Sequence, residues 1–137
     1  MPKSRKRRIL LRIALLAGVL TIGLAVAAAH YISAMNQESA IATTREWARL
    51  APFPASAQHL RVETRGSMFT REFVITFDAP AADVIKWLQN SPGPASTQPA
   101  AEGTTSVYEF TPGGGANDAK VRYEPATGKV TIDTSWS

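Results

Sequence analysis

The chain has 137 residues, 15 Lys and Arg against 11 Asp and Glu for a formal net charge of +4, and no cysteine. Without cysteine, disulfides, a lipid-modified cysteine, thiol catalysis and cysteine-based zinc sites are excluded. Beyond the apolar N-terminal run about 100 residues remain, room for one small domain that core packing alone must hold.

The charge is unevenly placed. Six of the 15 basic residues, Lys3, Arg5, Lys6, Arg7, Arg8 and Arg12, lie at or before position 12, and no acid accompanies them. From Asn36 onward 9 basic residues face 11 acidic ones, a net of −2. A basic tail before a mildly acidic remainder is the pattern of the positive-inside rule. Nucleic acid is not expected as a partner, because the apolar run abutting the tail makes anionic lipid headgroups the nearer one.

Ile9–Ala29, ILLRIALLAGVLTIGLAVAAA, is 21 residues long with Arg12 as its only charge. At 1.5 Å per residue, about 20 residues cross the ~30 Å bilayer core. The apolar character runs on through Tyr31, Ile32, Ala34 and Met35. A transmembrane helix is therefore expected over residues 9–35, behind a cytoplasmic tail of residues 1–8. Tyr31 suits the outer headgroup belt, and Arg12 can snorkel to the inner one. The alternative is a cleaved signal peptide, with Ile13–Val26 as the apolar region and Ala25-Val26-Ala27 as the cleavage site, releasing a secreted binding or inhibitor domain. Small residues recur at four-residue spacing, Ala14/Gly18, Gly23/Ala27 and Ala25/Ala29, a pattern that permits close helix pairing and also arises from an Ala-rich composition.

Asn36–Leu50 has neither Pro nor Gly and only a partial helical stripe, so the helix is expected to continue as a polar stalk. Ala51-Pro52-Phe53-Pro54 breaks it, which makes residues 36–54 a stalk and linker and residues 55–137 the domain. Within that domain, alternation predicts strands over Gln58–Arg65 and Met68–Phe77 as a hairpin about Gly66-Ser67, with Phe69, Phe73, Ile75 and Phe77 on one parity. Pro80–Gln89 reads as an amphipathic helix with the stripe Ala81, Val84, Ile85 and Leu88. Ser91–Thr104 reads as a long surface loop and Pro112–Asp118 as a flexible connection. Strands are expected over Thr105–Thr111, Ala119–Glu124 and Lys129–Trp136, the last two joined by the turn Pro125–Gly128. The fold class is α+β: one transmembrane helix, then a small, mainly antiparallel sheet in the order β-β-α-β-β-β with one helix packed on it.

No pattern for catalysis emerges. Gly113–Gly115 lacks the Gly-Lys-Ser/Thr of a phosphate loop and no helix is expected after it. His30 and His59 are too few for a catalytic zinc, and no serine sits in G-x-S-x-G. The acid pairs Glu63/Glu72 and Glu109/Asp118 have basic neighbours and read as cross-strand charge pairing on a wet face. The expectation is a non-enzymatic, single-pass membrane protein without cofactor or metal. Its lipid contact is residues 9–35, and its extracytoplasmic domain meets an unknown envelope protein or another copy of itself. Trp87 and Trp136 are the candidate partner contacts; Lys3, Arg5, Lys6, Arg7, Arg8 and Arg12 set the topology.

Overall fold

The computed structural model describes residues 3–137, with side chains from residue 6 onward. Residues 1–2 of the basic tail, and the side chains of Lys3 and Arg5, lie outside the described residues. The chain divides into a first unit ending at Gln37 and a second spanning Glu38–Ser137. Helix α1, Lys3–Trp47, begins in one and ends in the other.

In the first unit α1 is apolar around its circumference, and its large apolar side chains are exposed. Leu10, Leu15, Leu16, Leu20 and Ile22 are all about two-thirds exposed. An all-round apolar helix is stable only inside a large core or a membrane. This helix is long and apolar enough to cross one, and no residue of its most apolar stretch is buried.

The second unit is α+β, as the residue pattern predicts. Its strands are β1 (Gln58–Gly66), β2 (Arg71–Asp78), β3 (Ala100–Glu102), β4 (Thr105–Glu109), β5 (Asp118–Glu124) and β6 (Lys129–Trp136); its further helices are α2 (Ala81–Asn90) and α3 (Pro92–Ala95). All pairings are antiparallel in one six-stranded sheet, β1-β2-β6-β5-β4-β3. The α2–α3 connection carries the chain from β2 to the far edge, and a meander returns it so that β6 closes against β2. Ile75, Val84, Val121, Val130 and Ile132 are fully buried and Phe77 is 1% exposed. Each such side chain contributes about 1.5–3 kcal/mol of burial.

Four expectations are corrected. Residues 36–54 are not a free stalk and linker: from Glu38 on they belong to the compact unit. Ala40, Thr44 and Ala48 recur every four residues and are buried, and Leu50 joins the same core as Ile75 and Phe77. Trp47 lies on Phe73 with ring centroids 5.4 Å apart.

The α2 stripe is Val84, Trp87 and Leu88, while Ile85 is 49% exposed. Trp87 is the larger side chain, and edge-on packing to Phe77 (5.5 Å) and Phe53 (6.1 Å) holds it inside.

The segment expected as a loop, Ser91–Thr104, holds α3 and β3. It is pinned by the buried Ser91, whose Oγ accepts the Ala51 N–H at 3.0 Å and donates to the Trp87 carbonyl at 2.8 Å. Gly93 N–H donates to Arg49 O at 2.9 Å.

The glycine segment after Pro112 is a packed connection. Gly113 N–H donates to Trp47 O at 2.7 Å. Gly114, at φ +60°, lies so close to the Trp47 ring that a Cβ there would sit 2.6 Å from Cδ1. Strand β5 follows it, so no helix N-terminus stands behind these glycines.

Candidate functional site

The strands have one face toward the helices and one away, and the alternation of residues decides what each presents. The helix side carries Phe73, Ile75 and Phe77 of β2, Ala119, Val121 and Tyr123 of β5, and Val130, Ile132 and Thr134 of β6. This face is filled by α2, the end of α1 and Phe53. Burial raises the Tyr108 phenol above its ordinary value, and the neighbouring Tyr123 adds to this.

The opposite face is polar apart from Val74, Ala100 and Val107. Arg122 donates to Asp133 at 2.5 Å, Lys120 holds Glu109 at 2.6 Å, and Arg65 holds Glu63 at 2.6 Å. The hydrogen bond from Lys120 and its charge lower the Glu109 pKa, and Glu109 in turn raises that of Lys120. The Arg65 guanidinium is likewise held more firmly protonated by Glu63. The wet-face reading of the acid residues is correct in kind, but the partners differ. Glu63 pairs with Arg65 along its own strand, and Glu72 lies opposite Arg65 in the register.

Three shallow clefts ring the N-terminal end of β1. The largest, of about 480 Å³, is lined by Ala51, Pro52, Pro54, Ala55, Ser56, Asp83, Lys86, Trp87 and Asn90. Here Ser56 Oγ donates to Asp83 at 2.6 Å. A second, of about 330 Å³, is lined by His59, Arg61, Thr76, Phe77, Asp78 and Lys129. His59 sits at a β-bulge with φ +53°, and its Nδ1 lies 3.0 Å from Asp78 Oδ2. Sequence reasoning missed this pair, because one extra residue in β1 between Gln58 and Arg61 creates it. Both groups are open to water, with side chains 74% and 43% exposed. Among the described residues, no serine or cysteine lines the cleft beside this pair. The third cleft, of about 290 Å³, is lined by Ser56, Gln58, Asp78, Ala79, Pro80 and Thr127.

Of the two tryptophans read as partner contacts, Trp87 is 4% exposed and its indole N–H donates to Ala51 O at 3.1 Å, so it is a core residue. Trp136 is 45% exposed, opposite Arg71 at the end of β6. Besides Ile85, the β1–β2 tip of this unit exposes large apolar residues. Phe69, expected on the core parity, is 75% exposed, and Met68 is 90% exposed. The tip is a closed turn: Ser67 N–H donates to Thr70 O at 3.0 Å, and Gly66, at φ +127°, leaves room for that carbonyl where a Cβ would be 2.2 Å away. Met and Phe are not the residues a turn selects for its own sake. Arg12 and the described basic residues of the tail, Lys6, Arg7 and Arg8, lie in the first unit on α1.

No protein-family model, curated protein or solved structure matches this chain.

Proposed function

We propose that the chain is a single-pass membrane protein with its N-terminal tail in the cytoplasm. The unit from Glu38 onward is an extracytoplasmic, non-enzymatic interaction module that meets an envelope protein or another copy of the chain. The observation that carries this is the uncovered apolar surface of α1, on which Leu16 is 70% and Val19 62% exposed. At roughly 25 cal/mol per Å² such a surface finds its stable place in lipid. The orientation is supported by Lys3, Arg5, Lys6, Arg7 and Arg8 before the span and by the lack of any Lys or Arg between Asn36 and Thr44. The non-enzymatic reading is supported by the solvent exposure of His59 and Asp78 and by the shallow clefts around them.

Alkaline carbonate should leave the full chain in the membrane pellet. External protease should remove a C-terminal tag in spheroplasts and spare an N-terminal one. A mature chain starting near Ala28 in the soluble extracytoplasmic fraction would overturn the anchor.

A further inference from the structure

Strand β1 is a nine-residue edge whose outer backbone groups meet no other strand, and only Val62 along it is half-buried. The opposite edge, β3, has three residues. A long unpaired edge is a template for another strand. The order of charges on β1 favours a particular one. In antiparallel pairing with a second copy, residues that lie opposite share a face, and full overlap of Gln58–Gly66 centres on Val62. That register sets Arg61 of each copy against Glu63 of the other. Glu63 already holds Arg65, whereas Arg61 makes no ion pair among the described residues and has its guanidinium available. Moving the centre by one residue in either direction sets Arg61 against Arg61, or Glu63 against Glu63. Like charges directly opposite are unfavourable.

We propose that two copies of this chain pair through β1, antiparallel and centred on Val62, to continue the sheet across a two-fold axis. This deepens the interaction-module reading and rests on it. The same register carries the Ser67–Thr70 tip of each copy past Gln58 of the other, onto the segment Ala55–Ala57 at the mouth of the 480 Å³ cleft. It supplies an apolar neighbour for Met68 and Phe69, exposed at 90% and 75%. The bulge at Gln58–Arg61 kinks the N-terminal end of the edge, so the regular part of the pairing is its centre, Arg61–Glu63 of each copy.

The chain has no cysteine, so single replacements report contacts cleanly. Full-length Val62→Cys in native membranes should give a disulfide dimer on mild oxidation, while Ala101→Cys on β3 should stay monomeric. In the Val62→Cys background, Glu63→Arg should lower the dimer yield by about five-fold, the size expected for two opposed charge pairs made repulsive. Adding Arg61→Glu should restore it. Thr64→Cys cross-linking better than Val62→Cys would overturn the register, and failure of the charge swap to rescue would overturn the pairing. Absence of the Val62→Cys dimer, in a chain that still passes the carbonate and protease tests, would sink the pairing and leave the anchored-module reading standing. If those topology tests fail instead, the same cross-link on the soluble chain still reads β1 pairing.

Discussion

Trp87→Ala is the perturbation that most directly tests how α2 is seated. The side chain is 4% exposed, packs edge-on against Phe77 and Phe53, and donates its indole N–H to Ala51 O at 3.1 Å. Truncating a buried Trp costs about 3–5 kcal/mol. Two aromatic contacts, at about 0.5–1.5 kcal/mol each, are part of that, and the hydrogen bond adds about 1 kcal/mol. A unit of this size has roughly 5–15 kcal/mol in all, so the loss is a large share. With a urea slope of about 1–3 kcal/mol per molar, the unfolding midpoint should fall by about 2 M. Pulse proteolysis of the full-length chain in detergent, across a urea series, reads the folded fraction without interference from the span. Ile85→Ala, at a position 49% exposed, should move the midpoint by a few tenths of a molar at most. If the two substitutions have equal effects, or Ile85→Ala the larger one, α2 is rotated from the position described and the core argument is wrong.

The same assay checks three further expectations. Gly114→Val should cost about 2–4 kcal/mol, since φ is +60° and the new Cβ meets the Trp47 ring at 2.6 Å. Thr134→Val should stabilise by about 1 kcal/mol, because Thr134 is 1% exposed and its Oγ1 is without a hydrogen-bond partner among the described residues. The Glu109–Lys120 pair should make stability depend on pH. The folded Glu109 pKa is depressed, so its contribution is present above the ordinary carboxylate range and fades as pH falls through the lowered value. The folded Lys120 pKa is raised, so its share is present below the ordinary lysine value and fades as pH rises through the raised one. Lys120→Met should match the parent at acid pH and fall below it near neutrality; a constant difference across that range would refute the pairing.

Strands whose apolar residues alternate cleanly were legible in the residues alone. Phe73, Ile75 and Phe77 mark β2, and β6 ends where its alternation ends, at Trp136. The misses have physical causes. Ala40, Thr44 and Ala48 form the stripe that seats the end of α1, and small or hydroxylated side chains barely register as apolar. Strand β3, Ala100–Glu102, has no alternation and exists because Gly103, at φ +63°, turns it onto β4. Phe69 shares parity with Phe73 in the sequence, but the Ser67–Thr70 turn intervenes and parity no longer assigns a face. His59 meets Asp78 only because the bulge shifts the register by one residue, a spacing that no local pattern records.

The distribution of burial narrows where the second unit can meet another macromolecule. The helix face of its sheet is covered by α2, the end of α1 and Phe53, with Ile75 and Ile132 fully enclosed. The opposite face is laced by Arg122–Asp133, Lys120–Glu109 and Arg65–Glu63, and a partner there would have to desolvate those pairs. The β3 edge offers three residues. Of the sheet itself there remain the long β1 edge, the Met68–Phe69 tip beyond its end, and Trp136 at the adjoining end of β6, two strands in from that edge. These features lie at one side of the sheet, and each alone is modest: an edge guarded by charges, two apolar side chains, one half-exposed indole. Their adjacency is what a small domain needs, since an interface gains most from a few well-placed apolar anchors framed by complementary charges. Substitutions at Met68 and Phe69 should therefore weaken association more than substitutions at Lys120, Arg122 or Asp133, on the part of the charge-laced face away from β1, while leaving the urea midpoint of the isolated chain unchanged.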